Sequence, residues 1–224
     1  MTAMEWTTIA SLATAVGTLV LAVATFASVR SANYSARAAD RAARVAEQSA
    51  RTAERSLLAA ERPLLLNSRL QDLEQKVQFM EGRFVRVTGG TATLEAADGV
   101  VYMVVSVRNV GTGLAVMHGW HVTVSGEPQP THPPLEDFTT QTRDIYVAAG
   151  DVGFWQGALR DPAAATFKAV AAAVEAGGTM MLSVLYGDWE GGQRVISQFA
   201  LRHVNDKWLT TTGRHFNVDR PDPR

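Results

Sequence analysis

Between Trp6 and Val29 the chain carries no charged residue over 24 positions, and from there to Arg62 it repeats every seven. A hydrocarbon core takes about 20 residues of helix to cross. At about 1.5 Å per residue, a helix from Trp6 to Tyr34 spans roughly 42 Å, a bilayer with its headgroups. Aromatic residues at both ends suit interfacial anchoring. The competing reading is a cleaved signal peptide, with Ala22-Val23-Ala24 as a small-residue site. Against it, Glu5 and no Lys or Arg precedes the run, and the run is too long for a signal core.

Arg30, Arg37, Arg41 and Arg44 follow the run closely, whereas Glu5 alone precedes it. Basic flanks stay in the cytoplasm, so the reading is a single-pass cell-membrane protein. Its N-terminus lies outside and its C-terminal domain is cytoplasmic, which leaves the Asn33-Tyr34-Ser35 sequon without meaning. Trp6, Arg30, Tyr34 and Arg37 are the expected membrane-interface residues. Cysteine is absent, excluding disulfides and thiolate metal sites, and a net charge of −1 excludes a globally basic nucleic-acid binder.

The heptad blocks start at Ala36, Ala43, Ala50 and Leu57. With Ala36 at position a, the a and d residues are Ala36, Ala39, Ala43, Ala46, Ala50, Ala53, Leu57 and Ala60. Asp40, Glu47, Glu54 and Glu61 fill every e position. A strict seven-residue period marks a helix built to supercoil against another. Asp40 precedes Arg44 and Glu47 precedes Arg51 by four, each pair contributing roughly 0.2–0.5 kcal/mol to the helix. Ala and Arg favour helix with or without a partner, and Pro63 stops it.

Two readings of the stalk follow: a lone spacer, or a homo-oligomeric seam. Ala knobs bury little apolar surface, which favours the spacer. The same phase continues into the span as Ser11, Ala15, Thr18, Ala22 and Thr25, and small residues let membrane helices approach, which favours the seam. In a third reading the nearest arginines, Arg30 and Arg37, touch lipid headgroups.

From Pro63 the period changes to short apolar runs separated by turns. Val100 to Arg108, Leu114 to Val124, Thr179 to Tyr186, Arg194 to His203 and Trp208 to Phe216 read as strands. Arg83 to Val87, Thr91 to Leu94 and Asp144 to Val147 are weaker ones, and residues 76–80 suit strand or helix. Gly187-Asp188-Trp189-Glu190-Gly191-Gly192 and Asn205-Asp206 are turns. One helix is expected between Asp161, as N-cap before Pro162, and Gly177, with Phe167, Val170 and Val174 on its apolar face. Its expected role is to cover an open end or edge of the sandwich, the alternative being a binding role. The fold class is therefore mainly β, an antiparallel sandwich with one inserted helix. The expected domains are an anchor over 1–29, a stalk over 30–62 and the β domain over 63–224. Ser125 to Gln141, rich in Pro, reads as a connecting loop or a docking surface.

Arg62-Pro63-Leu64-Leu65, Arg108-Asn109-Val110-Gly111-Thr112-Gly113-Leu114-Ala115 and Leu185-Tyr186-Gly187-Asp188 carry a resemblance. So does the tail Gly213-Arg214-His215-Phe216-Asn217-Val218-Asp219-Arg220-Pro221. In these the chain resembles a group of uncharacterised single-span bacterial proteins of actinobacterial type. The resemblance implies an Ala/Arg-rich helix leading through an Arg-Pro step into an immunoglobulin-like sandwich. It implies no activity and no site residues.

The search for chemistry finds little. His118 and His121 stand three apart, so on a regular strand they face opposite ways and do not share a metal. His118 is expected to share a core face with Val116, Trp120 and Val122. Asp188 and Glu190 form a carboxylate pair in a glycine turn, where conformation alone explains them. Nucleophile elbow, Walker loop and dinucleotide fingerprint are all missing from the sequence. The expectation is no enzyme, no cofactor and no metal. Two function classes stand: a membrane-anchored interaction module with an unknown protein partner, or a membrane-tethered ligand-binding sensor. Trp120, Trp155, Trp189 and Trp208 around one pocket would favour the sensor, and an exposed apolar or proline-rich face the module.

Overall fold

A computed structural model describes residues 3–124 and 131–220. Two compact units divide the chain, residues 1–56 and 57–224.

Helix α1 runs Ala3–Ala60 without a break. Every residue from Ala10 to Leu57 is exposed. By length and composition the helix is sufficient to cross a membrane, with a mean hydropathy of 2.0 in its most apolar window. Thr14, Thr18 and Thr25 return their hydroxyls to the carbonyl four residues back, at 2.8–2.9 Å. That leaves no free hydroxyl on those turns, as an apolar surrounding requires. Glu47 and Arg51 form their ion pair, fully exposed and so of small energetic weight. Asp40 and Arg44 do not close to within 4 Å.

The second unit is built from strands. They are β1 Leu65–Asn67, β2 Gln75–Gln78, β3 Phe84–Val87, β4 Thr91–Ala97, β5 Val100–Asn109 and β6 Ala115–Thr123. After them come β7 Thr139–Thr140, β8 Tyr146–Val147, β9 Val152–Leu159, β10 Thr179–Gly187, β11 Val195–Val204 and β12 Lys207–Asn217. Among the described residues, ten strands join one antiparallel sheet and β2 pairs with β3 alone. The spatial order is β9-β5-β4-β12-β11-β10-β6, with β1 beside β4 on the same edge of β5, and β7 and β8 on the far edge of β6. Residues 76–80, read as strand or helix, are strand to Gln78.

The sheet curls until its ends meet. Trp120 of β6 and Trp155 of β9 pack edge to face at 5.5 Å, and Gln141 Nε2 donates to Gln156 O at 3.1 Å. Every long strand lends its inner face to one core, from Leu65, Leu94 and Met103 to Phe199, Leu201 and Trp208. Helix α2, Ala165–Ala176, closes one end of that core with Val170 and Ala173. The near-continuous apolar run of β5 has a physical cause: both of its faces are covered. Val101, Met103, Val105 and Val107 enter the main core, while Tyr102 and Val104 pack beneath the β2–β3 hairpin.

Two turns hold the registers. Asp98-Gly99 and Asn205-Asp206 take positive φ at both central residues, the two-residue turn that matches strand twist. Gly177, at φ 65, ends α2 as expected. Its start differs: the helix begins at Ala165, and Asp161 Oδ1 instead accepts from Ala163 N–H in the preceding turn.

Two departures reshape the sheet. Strand β9 has no strand signature in the sequence, because Gly153 and Gly157 interrupt its alternation. Gly157 is needed by the aromatic pair, since a Cβ there would stand 2.6 Å from the Trp155 ring. In β6, Leu185 pairs with Gly119 and Tyr186 with Met117, so His118 is an extra, bulged residue. The bulge puts Met117 and Trp120 on the same core face. It corrects the expected placing of His118 beside Trp120 and Val122, because His118 turns to the outer face.

Candidate functional site: a clasp on the chain leaving the helix

Helix α1 ends at Ala60, and Pro63 forces the next residues to extend. Leu64 O accepts from Val110 N–H at 2.8 Å and Arg62 O from Thr112 N–H at 3.1 Å. Gly111 and Gly113 make this approach possible. A Cβ on Gly111 would lie 2.3 Å from Arg62 O, and one on Gly113 only 1.7 Å from Glu61 O.

Asn109 is fully buried and satisfies its whole amide. Its Oδ1 accepts from Leu64 N–H at 3.1 Å and Gly111 N–H at 3.0 Å. Its Nδ2 donates to Gly113 O at 2.7 Å and Val147 O at 3.0 Å. Two donors and two acceptances are what one carboxamide provides at full use.

A second set grips Leu65. Its N–H donates to Tyr186 Oη at 3.1 Å, and its carbonyl accepts from Ser197 Oγ at 3.2 Å. Ser197 Oγ also lies 2.8 Å from Tyr186 Oη and 2.7 Å from His215 Nδ1. Ser197 has one proton, and it goes to Leu65 O. Tyr186 O–H and His215 Nδ1–H must therefore both donate to Ser197. Burial pushes the Tyr186 phenol up from its ordinary pKa, keeping it a neutral donor. Ser197 is fully buried, so its contact with His215 holds structure and exposes no nucleophile.

Further along, Asn67 and Thr212 exchange side-chain and backbone bonds at 2.7–3.2 Å, replacing ladder bonds between β1 and β12. Arg62 donates to Asn217 Oδ1. Arg194 grips Asp219 through its guanidinium at 2.7 Å and its N–H at 2.7 Å, holding that carboxyl below its ordinary pKa. None of these is among the site residues expected from the sequence, where Asn109 to Gly113 have the composition of an ordinary turn. Arg62 to Leu65, Asn109 to Gly113, Tyr186 and the tail residues His215, Asn217 and Asp219 converge here, and Pro221 lies outside the described residues.

The sequence-derived residues stand elsewhere. Ala36, Ala39, Ala43, Ala46, Ala50, Ala53, Leu57 and Ala60 all lie on α1, exposed. Arg30 lies over the Tyr34 ring at 5.7 Å, and Arg37 is exposed. Trp6 is helical, its side chain lying outside the described residues. Of the loop from Ser125 to Gln141, residues 125–130 are likewise outside, and a 3-10 turn and β7 follow.

Asp188 is buried and organises its own turn, accepting from Gly192 N–H at 2.8 Å. His118 and His121 are both driven below their ordinary pKa by burial. Among the described residues no group of three His, Asp or Glu could hold a metal. The tryptophans share no pocket: Trp120 and Trp155 are core, Trp208 packs on His203, and Trp189 is 70% exposed. Comparison with protein-family models, curated proteins and solved structures finds no match.

Proposed function

We propose that this chain is a membrane-anchored interaction module. The first part of α1 crosses the cell membrane with the N-terminus outside. The remainder is a homo-oligomeric stalk that presents the β domain to a protein partner on the cytoplasmic face. The observation that carries the reading is the helix itself: 58 residues, with everything from Ala10 to Leu57 exposed. The uncharged run from Trp6 to Val29 within it needs lipid or another helix against it. The clasp supports a presenting role, because it anchors the chain leaving the helix to the sheet through buried bonds. In the same proposal the β domain is an immunoglobulin-like sandwich made by one sheet folding over. Its layers part at β4 and β12, which share only two residue pairs, Trp208 with Ala92 and Leu209 with Thr91.

The experiment has two arms. Protease added to intact cells should leave the β domain uncut, and alkaline carbonate should not release the protein. In membranes, Ala50→Glu should reduce crosslinking of full-length protein, because a bulky charge does not fit an Ala-sized seam. Gln48→Glu, at an outward position, is the control. Digestion in intact cells would overturn the topology, and equal crosslinking of all forms would reduce the stalk to a spacer.

A further inference from the structure

We propose that the free edge of β9 receives an extended peptide segment of the partner as an added strand, a segment carrying an acidic residue. The inference rests on the interaction-module reading and names the kind of partner.

Hydrogen-bond parity fixes which groups are available. Asn109 N–H of β5 donates to Asp151 O, on the β9 side, and Ser106 O accepts from Ser68 N–H, on the β1 side. Odd-numbered β5 residues therefore face β9. With Val105 opposite Trp155 and Met103 opposite Gly157, the odd residues of β9 spend their backbone groups on β5. Val152, Phe154, Gln156 and Ala158 direct theirs outward.

Among the described residues no strand takes those outward groups. Only side chains do. Gln75 Nε2 donates to Val152 O at 3.2 Å, and Gln141 Nε2 donates to Gln156 O at 3.1 Å. Asp151 Oδ1 accepts from Val152 N–H at 2.8 Å. Two glutamines thus supply two of the four donors that a neighbouring strand would. An adjoining backbone supplies donors and acceptors to the outward groups of β9 at the spacing of a strand.

The edge is also reachable. Between Gln156–Ala158 and the segment Thr139–Arg143 runs a cleft of about 60 Å³, floored by Trp120. That cleft accommodates a groove-side residue of the incoming segment, and its neighbours meet the half-buried Phe154 and Ala158 to either side. Charge selects its chemistry. Arg160 at the rim is answered by Glu81 at 2.6 Å, but Arg143 meets only a carbonyl, Gln78 O at 3.0 Å. An Asp or Glu on the incoming strand would complete Arg143.

The test uses full-length protein in detergent as bait for random short peptides displayed on phage, with Ala158→Pro and Arg143→Glu run in parallel. Proline at 158 removes an outward N–H and no ladder bond to β5. Peptides selected by the wild type should bind Ala158→Pro at least about tenfold more weakly, a readily resolved difference. They should be rich in Asp and Glu, a preference that Arg143→Glu abolishes. With a selected peptide bound, amide exchange should slow at Phe154, Gln156 and Ala158 and stay unchanged at Trp155 and Gly157. Equal binding by Ala158→Pro, no selected peptides, or unchanged exchange would each overturn the proposal. So would loss of membrane crosslinking in Ala158→Pro, which would make a second copy the occupant. Ala50→Glu should leave peptide selection intact, so the seam and the edge fail separately.

Discussion

Replacing Gly113 by Ala tests the clasp at its tightest point. The new methyl would stand 1.7 Å from Glu61 O and 2.5 Å from Glu61 C, both backbone atoms, against an ordinary contact of 3.4 Å or more. No side-chain rotation relieves that overlap, so the segment from Glu61 to Leu64 must move away by more than an ångström. Such a shift breaks Thr112 N–H to Arg62 O, at 3.1 Å, and Leu64 N–H to Asn109 Oδ1, at 3.1 Å. It also strains the Arg62 bond to Asn217. At about 1 kcal/mol per bond, with a buried Asn109 acceptor left short at about 1–3 kcal/mol, the cost is about 3–5 kcal/mol. For a unit of this size that lowers Tm by roughly 6–20 °C. Gly178→Ala is the control: its Cβ would meet nothing nearer than 3.4 Å, and its backbone lies outside the positive-φ region. Thermal unfolding followed by near-ultraviolet circular dichroism, with amide exchange at Val110 and Thr112, reads both variants. A Gly113→Ala protein that melts with the control and keeps Thr112 protected would refute the reasoning.

Three other outcomes follow from the same geometry. Tyr186→Phe should destabilise by about 2 kcal/mol in urea unfolding, because it leaves Leu65 N–H buried without an acceptor. A chain beginning at Leu57 should melt higher than one beginning at Pro63, since only the first retains Arg62 O for Thr112 and the Arg62 bond to Asn217. Burial holds His118 and His121 below their ordinary value of 6.5, so the unfolded chain binds more protons just below that pH. Their contribution is complete above pH 6.5 and is lost as pH falls toward the folded values, and His118→Asn with His121→Asn should flatten Tm across that window.

Much of the β unit is legible in the chain. The runs at Val100, Thr179, Arg194 and Trp208 are strands within a residue or two, because alternation and turn residues act locally. Asn205-Asp206 and Gly177 do what their residue types favour. The misses have one cause in common. Gly153 and Gly157 look like breakers, yet Gly157 exists to admit a Trp155 ring whose neighbour, Trp120, lies on another strand. His118 looks like a core residue until the β6–β10 register, a pairing across more than sixty positions, bulges it outward. Spacing along the chain contains no record of such long-range demands.

The clasp is the extreme case. Asn109, Gly111 and Gly113 have the composition of any turn, and they do form one. Their geometry, however, is set by Glu61 to Leu64 and by Val147, segments some forty residues to either side. A core valine of β5 can exchange with a similar apolar residue at modest cost, because packing asks for volume. Asn109 cannot, since no other side chain offers two donors and two acceptors at those four positions. Gly113 cannot either, with a carbonyl oxygen where its Cβ would be. Asn109 and Gly113 are thus fixed by the geometry of the clasp, where volume alone would not fix them. Joining the chain that leaves the helix to the sheet, rather than filling the core, places the stricter demand on this sequence.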